Sequence, residues 1–287
     1  MNFSLAASTK GAFWMTIAIV FFSAMTVLIR MLTEDIPAHQ IVFVRGVASV
    51  IILIPWFTSQ GLQSLSTHRF PLLMGRGALT SIGLVTWIYA IARIPLAEAV
   101  ALHFTLPLFG IILAAYFLRE RINIHRGAVT IIGFLGTLVI LRPGIEAVDA
   151  VSLVVLFSAL AYAGTGIQTK ILVRTETSAA IVFYVSAFTA AAFAIPCLFK
   201  WVEPTTLQWV MLVGVAVLNV FAQSCMNRAF SAADASFVLP FDFLRLPFAV
   251  VAGLFLFDEA IDIWTIMGAA IIFGATYYNT NKERHRG

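Results

Sequence analysis

Charged and titratable side chains are few in this sequence, and those able to do chemistry stand inside oily runs. The stretch "LPFDFLRLPF" sets Asp242 and Arg245 three residues apart, on one face if the segment is helical, with Pro240 and Pro247 on either side. Such a pair either neutralises itself locally or faces the path of a ligand, with Asp242 then also a site for a proton. "LHFTLP" holds His103 close to Thr105 and Pro107, and "VFVRG" holds Arg45. Asn219, Gln223 and Asn227 follow one another at steps of four and so form one polar stripe. These groups make no bond-breaking set. H-E-x-x-H and G-x-S-x-G are missing, and "GTGIQTK" lacks the Gly-Lys pair of a phosphate-binding loop. The chemistry they suit is holding and passing a ligand, so the chain is expected not to be an enzyme and to need no metal or cofactor.

The elements that position them are read from composition. Of 287 residues, 61% are hydrophobic and only 11% charged, with a mean hydropathy of +0.96. A soluble domain carries about 25% charged residues, so the chain is expected to be an all-α integral membrane protein. A net charge of +4 gives no reason to expect nucleic acid. Cys197 and Cys225 fall in apolar runs and are read as small packing residues without a disulfide. The N-terminus lacks a charged leader and a cleavage pattern, so the first apolar run is expected to remain as a span.

A bilayer core of about 30 Å takes about 20 apolar residues as a helix. Ten runs fit: Gly11–Leu32, Gln40–Phe57, Phe70–Ile91, Leu96–Phe117, Arg126–Leu141, Ser152–Ile171, Ser178–Leu198, Leu207–Ala229, Ala235–Phe257 and Ile263–Tyr278. Ten spans return both termini to one side. With the termini in the cytoplasm, eleven Lys and Arg lie inside and four (Arg30, Arg93, Arg142, Lys200) outside, while Arg45, Arg76 and Arg245 lie within spans. The positive-inside rule therefore predicts cytoplasmic termini.

Matches recur along the chain at a nearly constant offset. "QIVFV" at Gln40 meets "AIVFY" at Ala180, Arg30 meets Lys170, Pro55 meets Pro196, Glu120 meets Glu259, and Gly127 and Gly133 meet Gly268 and Gly274. A duplication is expected, residues 1–146 and 147–287, five spans each. Five is odd, so the second unit would cross in the opposite sense, as an inverted-topology repeat. Matched loops should then differ in charge. The basic "LRERINIHRG" pairs with the acidic "FDEAIDIW", and the acidic "TEDIPAHQ" pairs with the segment around Lys170 and Arg174.

On these residues the chain resembles the drug/metabolite transporter superfamily in its EamA-type branch. What carries the resemblance is a proline-containing helix followed by Glu and a Gly-rich helix in each half, the basic residue closing the first helix at Arg30 and Lys170, and Arg45 in the second span. The position matching Arg45 is Val185, which breaks the pairing. The resemblance implies a multi-pass protein of the bacterial inner membrane that exports small metabolites by alternating access. Amino acids are the first candidates, aromatic or other neutral ones, with bacterial aromatic amino acid exporters the nearest likeness. A multidrug or cation exporter is the alternative, and a channel ranks below both. Partners are then a small-molecule substrate, the lipid bilayer and candidate coupling protons, with the chain acting as a monomer.

The expected substrate-binding residues are His103, Asp242, Arg245, Asn219, Gln223, Arg45, Trp87, Tyr89 and Tyr162. Each has a plainer alternative. Arg45 would snorkel to the surface, Trp87 and Tyr89 would belong to an interfacial aromatic belt, and the stripe from Asn219 would join helices. Arg30 and Lys170 either cap their own helix C-termini or gate the path together with Pro107, Pro240 and Pro247.

Overall fold

A computed structural model describes residues 2–61, 65–94, 96–103, 105–120, 124–141 and 150–256, together with single or paired residues between 263 and 278. Backbone groups in lipid must find their hydrogen bonds within the chain, and among the described residues the long apolar runs are helical. The continuous helices are α1 (Asn2–Leu32), α2 (Ala38–Gln60), α3 (Phe70–Ile91), α7 (Ala150–Leu172), α8 (Ser178–Phe199) and α9 (Thr206–Ala232). All six are long and apolar enough to cross a membrane. They correspond to the first three and the sixth to eighth runs of the sequence.

The fourth and ninth runs are broken. The fourth is α4 (Leu96–His103) and α5 (Leu106–Leu118); the ninth is α10 (Ala235–Val238), a 3₁₀ stretch (Leu239–Leu244) and α11 (Arg245–Leu256). The prolines sit at these breaks. Pro107 lies in the first turn of α5, Pro240 in the first turn of the 3₁₀ stretch and Pro247 third in α11. A missing N–H has no partner to lose in a first turn. The prolines therefore begin new helical pieces. The fifth run is α6 (Ile124–Leu141). The tenth run lies mostly outside the described residues, as do Glu259 and the boundary near residue 146.

Packing runs between the halves. α1 lies on α9, α3 on α7 and α2 on α8; α2 also meets α9, and α3 meets α8. α1 meets α11, and α5 meets α7. If α1, α2 and α3 are exchanged for α7, α8 and α9, and α5 for α11, this set of contacts maps onto itself.

Small residues allow the close crossings that hold helices together where lipid offers no hydrophobic drive. A Cβ on Gly46 of α2 would stand 2.9 Å from both the Ser186 carbonyl oxygen and the Ala190 nitrogen of α8. The interior is mostly apolar but buries polar and charged groups such as Arg45, Arg76 and Asp242, while large side chains such as Ile112, Tyr116, Leu198 and Phe255 point outward, as a lipid-facing surface requires. Cys197 and Cys225 are buried and free.

Candidate functional site

The broken segments and the continuous helices enclose a central cavity of about 830 Å³, counting its open mouth. One wall is aromatic. His103, at the end of α4, lies with its ring centroid 4.6 Å from that of Trp87 on α3 and 5.6 Å from that of Tyr162 on α7. The histidine is 5% exposed, and its Nε2 has no hydrogen-bond partner among the described residues. A polar edge in an apolar wall is what a ligand with a flat ring would meet.

Charge lines the same cavity. Asp242 Oδ1 lies 2.8 Å from Arg245 Nε. The N–H is not aligned on that oxygen, so the contact is an ion pair without a directed hydrogen bond. Asp242 Oδ2 is buried and finds no partner among the described residues. The 3₁₀ turn makes this arrangement: it buries Asp242 and ends on Arg245, the first residue of α11. The Arg245 guanidinium also lies 4.7 Å from the ring centroid of Phe22 on α1. Arg45 and Gln223 line the same cavity.

Most of the polar groups picked out in the sequence therefore meet. His103, Trp87, Tyr162, Arg45, Gln223, Asp242 and Arg245 all line one space. Arg45 does not snorkel: it is 4% exposed and donates from Nη1 to Asn219 Oδ1 at 3.1 Å. Asn219 in turn donates to Ser49 Oγ at 3.1 Å, and Asn227 to Ser178 Oγ at 3.0 Å. The stripe on α9 thus does join helices, and within it Gln223 also reaches the cavity.

Tyr89 is placed elsewhere. It is 42% exposed, and the Arg93 guanidinium sits 3.5 Å from its ring centroid. Residues two apart on a helix point in different directions, so Trp87 faces in while Tyr89 faces out and does not line the cavity. Arg30 and Lys170 stand in the last turns of their own helices and reach carbonyls beyond them. Arg30 Nη1 donates to the Ile94 carbonyl just past α3, at 3.4 Å, and Lys170 Nζ donates to the Phe230 and Ala233 carbonyls closing α9.

Arg76 was missed as a site residue, although its charge inside a span was visible. It is 1% exposed and donates from Nε to Thr169 Oγ1 at 2.8 Å and from Nη2 to Gln223 Oε1 at 2.9 Å.

A helical membrane bundle with a buried, polar and aromatic cavity between its halves is built to let a small molecule cross a bilayer. The EamA-like transporter family matches residues 9–142 and 150–280, and the chain belongs to that family. It is similar to the S-adenosylmethionine uptake transporter of Rickettsia bellii, 31% identical over 99% of this chain and 98% of that protein. It is 33% identical to the riboflavin transporter of Brucella anthropi, over 85% of this chain and 88% of that protein. It is 31% identical to the pseudopaline exporter of Pseudomonas aeruginosa, over 92% and 93% of the two chains. The family and these relatives are transporters rather than enzymes, and with six membrane-competent helices the chain is a multi-pass protein of the bacterial inner membrane.

Proposed function

We propose that this chain is a secondary transporter for a small metabolite that carries a flat ring and a polar, ionised end, moved by alternating access. The observation that carries the reading is the cavity itself, lined by His103, Trp87 and Tyr162 and by the Asp242–Arg245 pair. The ring stacks against the aromatic residues, and the ionised end meets the charged pair. The relatives named above carry S-adenosylmethionine, riboflavin and pseudopaline. They give no support to export of a free aromatic amino acid and favour larger ring-bearing metabolites. Uptake and export both occur among them, so direction is left to the driving gradients.

Residues 1–146 and 147–287 act as two five-helix inverted repeats in a ten-helix monomer with cytoplasmic termini. The reciprocal packing of helices supports the repeat, and the loop charges support the orientation. The halves rock about the broken helices, at Pro107 in the first half and at Pro240 and Pro247 in the second. Asp242 serves as the proton site: protonation releases Arg245, which is then free for an anionic group.

A second reading, a cationic substrate, is favoured by one observation, the buried Asp242 Oδ2 without a partner beside aromatic faces that attract cations. Uptake of radiolabelled S-adenosylmethionine, riboflavin, tryptophan and one lipophilic drug cation into proteoliposomes decides. Saturable flux of S-adenosylmethionine, which has a ring and an ionised amino-acid end, supports the main reading. Flux of riboflavin alone, uncharged at neutral pH, counts against the ionised end, and flux of the drug cation alone favours the second reading. Open-pore currents without saturation would sink both.

A further inference from the structure

Beyond the central cavity lies a smaller pocket of about 210 Å³, counting the open space at its mouth, with an unusual lining. Arg45, Arg76, Thr80, Ser186, Asn219 and Gln223 supply its polar groups, and no carboxylate is among its described lining residues. Two guanidiniums thus face one small space deep in the bundle. Each is already held in place, Arg45 by Asn219 and Arg76 by Thr169 and Gln223. Yet Arg45 Nε and Arg76 Nη1 are buried with no acceptor among the described residues. A buried donor on a charged group left unmatched is costly, and two like charges sharing a low-dielectric space add repulsion. An anion in the pocket relieves both at once, and the planar guanidinium is shaped for an oxyanion.

The fold by itself does not require these arginines. At the repeat offset of 140 residues, Arg45 meets Val185 and Arg76 meets Ala216. The second half makes the reciprocal helix packing without them. Val185 lines this same pocket, so the charge is gathered on one side of it.

We infer that the pocket between Arg45 and Arg76 is a binding subsite for a small oxyanion of carboxylate type. Arg45, Thr80 and Gln223 line both this pocket and the central cavity, so the subsite adjoins the substrate path. The oxyanion is either the substrate's own carboxylate or a free anion that binds beside it. The inference rests on the pocket's geometry, and its binding test is independent of the transport reading.

The test uses the purified full chain in detergent with formate as the probe. Melting is followed by tryptophan fluorescence while formate replaces gluconate at constant ionic strength. A saturable rise in Tm is expected, and Arg45→Gln and Arg76→Gln should each weaken the apparent affinity on the order of tenfold, the size of a lost charged hydrogen bond. A wild-type Tm that ignores formate overturns the subsite, as does a response unchanged in both variants. If either arginine variant fails to fold, Ser186→Asp carries the test, because its built-in carboxylate occupies the pocket and should abolish the formate response; a response that survives overturns the subsite.

Transport then separates the two sources. Formate that raises KM for a transported carboxylate substrate marks the substrate's own group, and formate that speeds transport without competing marks a free anion. Formate binding by a protein that moves none of the candidate metabolites would sink the transport reading and leave the subsite standing.

Discussion

Lys170, at the end of α7, places its ammonium 2.8 Å from the Phe230 carbonyl oxygen at the end of α9. The same Nζ reaches the Ala233 carbonyl at 2.5 Å, while Glu120, beyond α5, accepts the Ala235 backbone N–H at 3.1 Å. A cation on the carbonyl end of one helix and an anion on the amide end of the next both suit the helix dipole. The α9–α10 junction is thereby clamped from two sides. Arg30 makes the matching contact past the end of α3.

The clamp should control access to the cavity. In a background with Cys197 and Cys225 replaced by serine, a single cysteine at the cavity-lining Thr26 reports access by its alkylation rate. Lys170→Met is expected to raise that rate several-fold. An unchanged rate would leave Lys170 as a helix cap only.

The aromatic wall should set affinity for the ring. Trp87→Ala and Tyr162→Ala each remove stacking worth about 1 kcal/mol beyond the buried area, so KM for a transported ring substrate is expected to rise on the order of tenfold with area included. Tyr89→Ala, on the outer side of the same helix, should leave KM unchanged. Equal effects from Trp87 and Tyr89 would contradict the placement of the site.

Asp242 should couple transport to protons. Asp242→Asn removes the titrating oxygen and leaves Arg245 without its ionic partner. Transport driven by an imposed pH gradient is expected to be lost, while slow exchange down the substrate gradient remains. A variant that keeps its rate and its response to the pH gradient would exclude Asp242 as the proton site.

Gly46 should be required for the α2–α8 crossing. The atoms a new methyl group would meet are backbone, which cannot rotate away, and overpacking of this kind costs about 1–3 kcal/mol. Gly46→Ala is expected to lower the melting temperature of the detergent-solubilised protein. Gly127→Ala, where a Cβ meets nothing within 4 Å and the backbone is helical, is the control and should melt no lower than the parent.

The apolar helices were legible from the amino-acid sequence because their causes are local. A run of about 20 apolar residues must satisfy its own backbone in lipid, so α1, α2, α3, α7, α8 and α9 follow from hydropathy alone. The breaks near Pro240 and Pro247 were signalled by residue type, while the one before Pro107 falls in a stretch that reads as a single apolar run. Charges in mid-span marked Arg45, Asp242 and Arg245 as candidates to face inward, since exposure to lipid is costly, with snorkelling left open for Arg45. Tertiary packing decided what each of them meets. Arg45 pairs with Asn219, 174 residues away, and Arg76 with Gln223, 147 away, and local patterning carries nothing about such distant pairs. Trp87 and Tyr89 look equivalent in the sequence; the docking of α3 on α7 turned one toward the cavity and the other toward the membrane surface. Lys170 and Arg30 have the chemistry of C-terminal caps in any reading. Only the packing of α7 beside α9, and of α1 near the end of α3, determined that the carbonyls they meet belong to other helices.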